Sequence, residues 1–507
     1  MKKILYMVMA GLLSLNACTN LDEEIYSKIA KENFFTTEEQ FVKYSARAYS
    51  TLQHWGTEKS LWTFVIQNTT EVCVPVNPNG GWWDDGRYNE VHVHNIPSSN
   101  RLLEMAWEYW TNGITACNDV LDTFEDVEKD FEAKKRVIAE IKVLRAYFYM
   151  CGIDNWGSVP FSVTKKEKGY PEKKDRAFMF DFIVKEITEN LQYLQEEPTP
   201  EYYGRITQGT AYAILAKMYL NAEKWIGKAM WAEAEAACNA IISKGHYTLT
   251  QDYKDNFAVN NENCPEQILA IPYSTVYTTS DHHAFLIYMS TLPADLCRPM
   301  GINADAWDGL CGEPDFLASY DPADTRKADT WLYGQMYDKD GNPLELEPGV
   351  PYVIDPDMPE SVYGKDARRT ALQGARIGKW TYQDDGRLTG GQVGMDNDFF
   401  LIRYADVVLM YVEALVRQHK ETEAANVADF KKIRQRAGLA PMTATELTLD
   451  NLYWERAHEL AIEGWQRQDM IRFDKYLEAW WAKPEKSESD LTLPFPKSAV
   501  AANPNLK

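Results

Sequence analysis

Residues 397–476 decide how the rest of the chain is read: NDFFLIRYADVVLMYVEALVRQ (397–418), ADFKKIRQRAGLAP (428–441), then NLYWERAHELAIEGWQRQDMIRFDKY (451–476). In the first run Leu401, Ile402, Ala405, Val408, Leu409, Val412, Leu415 and Val416 fall at helical spacing and form one broad apolar stripe. Glu413 and Arg417 stand four apart in the favourable order. The second run ends at Gly438, which accepts the left-handed conformation after a helix, and Pro441 prevents a restart. Three helical segments are predicted. In the third, Glu455, Glu459 and Glu463 repeat at four-residue steps, where like charges repel on an isolated helix. Two arrangements relieve this: a solvated charged face, or arginines such as Arg403, Arg434, Arg456 or Arg472 packed among the carboxylates.

Working outward, strong helical patterns cover 33–53, 102–121, 131–151, 178–194, 207–222 and 230–243, with Thr36 or Thr37 as the cap of the first. Consecutive helices of this length imply helix pairs that each bury a stripe on the next. Between about 247 and 396 the helical pattern fails. Turn signals dominate there (Asp340-Gly341-Asn342-Pro343, Asp385-Gly386, Gly390-Gly391), and short alternating runs are strand candidates. This stretch reads as an irregular insert folded against a helical scaffold of about 33–246 and 397–482.

The 507 residues carry 45% hydrophobic side chains, enough for a large core. A net charge of -22 opposes binding to nucleic-acid backbones and to anionic membrane surfaces. At the N-terminus Lys2-Lys3 precedes a short apolar run, Ile4 to Leu15, the pattern of a secretory leader covering 1–17. Leu15-Asn16-Ala17-Cys18 looks like a lipobox, with Cys18 the lipidated residue. Such a Cys attaches a protein to a membrane without a transmembrane helix. The other cysteines are seven, an odd number, and none shows C-x-x-C spacing, so no structural zinc site is predicted.

The blocks IRYADVVLMYVEAL (402–415), KKIRQRAGL (431–439), ERAHELAIEGWQRQDMIRF (455–473) and LPFPKSAVAANPNL (493–506), in that order, strongly resemble the C-terminal half of the SusD/RagB family. These are surface lipoproteins of Bacteroidetes-type bacteria that bind glycans beside a TonB-dependent transporter. Asn155-Trp156-Gly157-Ser158-Val159-Pro160 resembles the family's helix-to-turn run, with Arg145 matching a family arginine. Two departures show: Gln466 stands where the family usually has Arg, putting one buried ion pair in question, and the last residues differ from the customary ending. The acidic run after Cys18 (Asp22, Glu23, Glu24) resembles the surface-export signal of such lipoproteins.

The resemblance implies a mostly α fold, a TPR-like helical-pair scaffold with a loop-rich insert containing short strands, residues 18–507 forming one SusD-like domain. It further implies a non-enzymatic role on the outer membrane, facing outward: capture of an oligo- or polysaccharide and its transfer to a SusC-like TonB-dependent transporter. No cofactor or metal follows from it.

Two loops are candidate binding elements. In Gly80-Gly81-Trp82-Trp83-Asp84-Asp85-Gly86-Arg87-Tyr88 two indoles sit in a Gly- and Asp-rich segment without apolar surroundings of its own. Flat rings stack on sugar faces, and Asp84, Asp85 and Arg87 offer directional groups to hydroxyls. The loop either contacts glycan or braces the scaffold. It also resembles the ligand-face run of one family branch. The second loop, Cys297 to Gly309, is similar to another family run. It nominates Trp307 for stacking and Asn303 and Asp305 for hydroxyl contacts, while Asp324 and Arg326 are expected to fix the loop. Tyr288 and Trp331 are expected in the core. His92-x-His94 would place two imidazoles on one side of a strand, a weak metal pair, and Asp338-x-Asp340-Gly341-Asn342 fits a hairpin turn better than a calcium loop.

No G-x-S-x-G, H-E-x-x-H, Walker A or G-x-G-x-x-G run occurs in a fitting context. A glycosidase carboxylate pair has no sequence signature, so a glycoside hydrolase of the same compartment is one rival reading. A helical-repeat scaffold that binds only protein partners is the other.

Overall fold

The computed structural model describes residues 35–507 apart from 36, 56–60, 77–81, 128–131, 278–284, 286, 364, 366–369 and 383–393. The leader, Cys18, the acidic run after it, Gly80-Gly81 and the turn signals at 385–386 and 390–391 lie outside the described residues.

The described helices begin with α1 (Glu38–Tyr49) and α2 (Leu61–Asn68), then the short α3 (Arg87–His92). There follow α4 (Arg101–Glu125), α5 (Glu132–Trp156), α6 (Arg176–Asn190), α7 (Gln208–Ile226) and α8 (Trp231–Ile242). After the insert come α9 (Tyr404–Arg417), α10 (Ala428–Arg436), α11 (Leu449–Glu459) and α12 (Gln466–Arg472). From α4 to α9 each of these packs on the next, α8 meeting α9 across the insert, and α1 lies on α4 and α5. Caps fall where local chemistry supplies an acceptor: the Asn100 side chain takes the amides of Leu102 and Leu103, and Thr207 takes that of Thr210. The α4–α5 seam closes because Gly113 meets the Phe148 ring with no room for a Cβ. Arg145 ties the helices further, pairing with Glu186 and donating to Asn118 Oδ1 at 2.8 Å. Tyr288 and Trp331 are buried, as expected.

Two expectations need correction. Residues 399–403 are not the first turn of a helix but a strand. With β1 (Cys73–Pro75), β2 (Gln267–Ile271) and β3 (Leu310–Gly312) defined in chain order, this strand is β4 (Phe399–Arg403), antiparallel to β2. All five of its residues are buried, so both faces are covered and the alternation that separates strand from helix is hidden. The third run is also broken: α11 stops at Glu459, and α12 starts at Gln466. Between them Ile462 holds φ 67°, a rare conformation for a β-branched residue.

That break is explained by charge. Glu463 turns away from the helix row and accepts from Arg403 (Nε, 2.7 Å) and Lys379 (2.6 Å). Arg403 also donates to Glu459 (2.8 Å) and Glu266 (3.2 Å). Arg326 bridges Asp324 (2.7 Å), Glu455 (2.8 Å) and Glu459 (3.0 Å), Arg436 reaches Glu459 (2.6 Å) and Glu266, and Arg434 reaches Glu455. The Glu side chains at 455, 459, 463 and 266 are all buried. Of the arginines expected among them, Arg403 and Arg434 are there. Arg456 and Arg472 instead serve a neighbouring cluster with Asp406, Asp469 and Glu413, joined by Lys217. The buried Gln466 donates to Tyr453 Oη at 2.9 Å, and Arg467 beside it lies 3.9 Å from Asp154.

Burial alone would raise the Glu459 carboxyl, but the charges of Arg436, Arg403 and Arg326 outweigh it and hold the group well below the usual range. The same contest leaves Asp406 at about 2 beside Lys217 and Arg456, and Glu413 at about 2 beside Arg472 and Arg417. Glu459→Gln uncovers three buried guanidinium contacts and is expected to cost about 3–5 kcal/mol in urea unfolding. Replacing the exposed Lys185 leaves the midpoint unchanged. Depressed carboxyls stabilise the fold above their unfolded pKa. Acid titration of stability therefore shows loss beginning below about pH 4 and continuing toward about 2.

Candidate functional site

The two candidate loops leave neighbouring strand ends. β1 pairs antiparallel with β3 (Cys73↔Gly312, Val74↔Cys311, Pro75↔Leu310), and the Val76 amide continues the ladder to the Gly309 carbonyl at 2.9 Å. The tryptophan loop thus follows β1 and the Cys297–Gly309 loop precedes β3.

Trp82 is the joint between them. Its Nε1 donates to the Trp307 carbonyl at 2.8 Å, and its ring lies 4.6 Å from Tyr88 and 6.5 Å from Trp307. Trp82, expected on a loop that presents its rings to a ligand, is instead 8% exposed, and the candidate Tyr88 is 3% exposed. The apolar surroundings missing from their own loop come from the other one. Gly309 is required at this contact, since a Cβ there would fall inside the Trp82 ring. Trp83 and Trp307, one on each loop, are half-buried.

The polar candidates lie on the same two loops as these rings. Asp84 and Asp85 are exposed and take left-handed φ of 41° and 59°, so the chain turns tightly after Trp83. Arg87 Nε closes that turn on the Asp84 carbonyl at 2.8 Å, and Asn100, the α4 cap, donates to the Arg87 carbonyl at 3.0 Å. On the second loop Asn303 and Asp305 are exposed, and Asp305 is steadied by Arg298 at 2.7 Å. The loop base is fixed from within: Trp307 and Asp308 donate their amides to the Met289 and Leu292 carbonyls, and Arg376 meets Asp308 at 2.9 Å. Asp324 and Arg326 belong to the buried ion cluster, the bracing role expected of them.

Two carboxyls flank one end of the β1–β3 ladder, Glu71 just before β1 and Glu313 directly after β3. Burial pushes Glu71 and Glu313 each up to about 8, so both are protonated at neutral pH, and one oxygen of each has no hydrogen-bond partner. Glu71 is visible in the sequence; its burial beside Glu313, which donates its amide to the Val72 carbonyl, is not.

The histidine pair is corrected too. His92 ends helix α3 and hydrogen-bonds the Trp481 carbonyl at 3.1 Å, while His94 stacks on Tyr476 at 4.0 Å. Burial lowers His92 to about 4 and takes His94 well down too, so both rings are neutral and separately engaged. Among the described residues no group of three or more His, Cys, Asp or Glu is placed to hold a metal ion. Asp338 closes its turn on the amides of Asp340 (2.9 Å) and Asn342 (2.8 Å), as a hairpin requires.

Comparison with known proteins places the chain among relatives. Residues 220–507 match the model of the SusD family, and residues 19–220 match a model described as "Starch-binding associating with outer membrane". A SusD-like protein of Bacteroides ovatus is 23% identical over 94% of this chain and 83% of its own. The starch-binding protein SusD of Bacteroides thetaiotaomicron is 26% identical over 76% of this chain and 73% of its own. Among solved structures, surface glycan-binding protein A from Bacteroides thetaiotaomicron in complex with laminarihexaose superposes with a TM-score of 0.74 at 19% identity, covering 93% of this chain and 99% of that one.

Two outcomes follow from the joint. Gly309→Ala forces Trp82 from its slot and is expected to lower the melting temperature clearly, whereas Trp83→Ala lowers it little; differential scanning calorimetry checks both. For Glu71 and Glu313 the folded pKa is raised, so their stabilising contribution is present below the unfolded value and lost as pH rises through about 8. Glu71→Gln is expected to flatten the fall in melting temperature between about pH 5 and pH 8, the window between the unfolded carboxyl value and the folded value of about 8.

Proposed function

The chain belongs to the SusD family, and from that membership we propose that it is a non-catalytic saccharide-binding protein of the outer-membrane surface. The observation that supports this reading is the junction at Trp82, where one buried indole locks two loops. Each loop carries a half-exposed indole: Trp83 beside Asp84, Asp85 and Arg87 in sequence on one, and Trp307 beside Asn303 and Asp305 on the other. Half-exposed indoles offer a flat apolar face to sugar CH groups, while carboxylates and guanidinium groups take hydroxyls. Trp82 and Tyr88 serve as supports beneath this face. The relatives' names agree in kind, one binding starch and a structural neighbour holding laminarihexaose.

The proposal includes the remaining parts of the picture. Residues 1–17 act as leader, Cys18 carries the lipid, residues 18–507 fold as one SusD-like unit, and the bound glycan passes to a SusC-like TonB-dependent transporter. An affinity between about micromolar and millimolar suits such transfer, because hydrated polar ligands bind modestly and leave readily.

Native gel electrophoresis in starch or laminarin tests the reading. Wild type is expected to be retarded without releasing reducing ends, and Trp83→Ala with Trp307→Ala is expected to restore free migration at unchanged melting temperature. New reducing ends would identify a hydrolase. Retention by no glycan, with transporter association intact, would identify a protein-only scaffold.

A further inference from the structure

A cavity of about 880 Å³ lies between α4, the end of α5, the segment 160–174 that arches over them, and the C-terminal residues 499–506. None of its lining residues belongs to the loops around Trp82. Its aromatic walls are Trp107, Trp110, Tyr149 and Phe161, with Tyr170 at the lip. Its size falls within the range of about 300–1,000 Å³ usual for small-molecule sites.

Two features point to a ligand. Tyr170 is 61% exposed, yet its backbone is strapped down: Asn505 donates to the Tyr170 carbonyl and Asn503 to the Pro171 carbonyl, each at 3.0 Å. An exposed ring on a tethered loop is a surface kept available rather than a loose end. Trp110 forms part of the inner wall and is 1% exposed, so it shapes the cavity rather than offering its N–H to a ligand. The arch is also basic against the trend of the chain. Residues 165–176 hold six Lys or Arg against three Asp or Glu, in a protein of net charge -22. Lys165 is paired with Asp119 and Lys174 with Glu172, but Lys168 makes no ion pair among the described residues. Glu167 accepts from Ser162 Oγ at 3.0 Å.

We propose that this cavity is a second binding site, for an acidic saccharide unit bearing carboxylate or sulfate, with Tyr170 stacking on the ring and Lys168 meeting the anion. Aromatic walls with a cationic lip suit a ligand that is flat and apolar on one side and charged at its edge. The choice of a saccharide rests on the function proposed above, but the site uses none of the residues named there.

Isothermal titration with a tetragalacturonate (carboxylate) and a heparin-derived tetrasaccharide (sulfate) tests it, using wild type, Tyr170→Ala, Lys168→Ala and Trp307→Ala. Wild type is expected to bind at least one probe, more weakly in raised salt. Tyr170→Ala and Lys168→Ala should each weaken that binding by about tenfold or more, and Trp307→Ala should leave it within about twofold. Both arch substitutions lie on an exposed segment, and unchanged melting curves check that folding is intact. The proposal is overturned if wild type binds neither acidic probe, if the arch variants bind as wild type does, or if Trp307→Ala alone abolishes binding. Loss of neutral-glycan retention in every form would sink the function proposed above and leave this result to be read on its own.

Discussion

Glu459 is the point at which insert and scaffold are fastened. It lies at the end of α11, without contact with solvent, and three guanidinium groups converge on it: Arg326 from the insert, Arg403 from β4 and Arg436 from α10. Lys379 of the insert reaches Glu463 four residues on. A buried ion cluster is a poor source of net stability, because desolvation consumes most of the attraction. Its value is directional. Every member has lost water, so any arrangement that leaves one unpaired is penalised, and the insert is held in one register against the helices.

That register carries through to the surface. The insert contributes β3, and β3 pairs with β1 so that two distant loops arrive side by side. Trp82 then fills the gap that Gly309 leaves, and its indole N–H bonds to the Trp307 backbone. A chain of contacts therefore links the ion cluster to Trp83 and Trp307: Arg326 and Lys379 fix the insert, Arg376 holds Asp308, and Trp82 locks the loop tips. For the saccharide binding proposed here, rings held in place beforehand would lower the ordering cost that well-hydrated ligands can least bear.

Much of this was legible in the sequence where one physical signal dominated. Helices α4 to α8 were visible as long runs of apolar helix formers. Some carry one core-facing stripe and others, such as α5 and α7, are buried on nearly all sides. The insert was visible because turn residues broke that pattern. The repeating glutamates at 455, 459 and 463 left two arrangements open, a solvated face or packed arginines; the second is the one realised, with Arg403 and Arg434 among them. Arg326 and Arg436 were not assigned there because their proximity is tertiary. β4 was misread as helix since all five residues are buried and show no alternation. The site was legible in residue type and only partly in role. Both loops were identified, but which indole would be buried depended on Gly309, a residue far along the chain that no local pattern connects to Trp82.

The account stands most directly on the behaviour of individual indole N–H groups. In a ¹⁵N-labelled sample titrated with the glycan that the protein retains, the Trp83 and Trp307 indole resonances should shift with ligand, while the Trp82 N–H, bonded to the Trp307 carbonyl, stays protected from solvent exchange. Saturating glycan that leaves Trp83 and Trp307 unmoved, or a Trp82 N–H that exchanges freely with water, would contradict it.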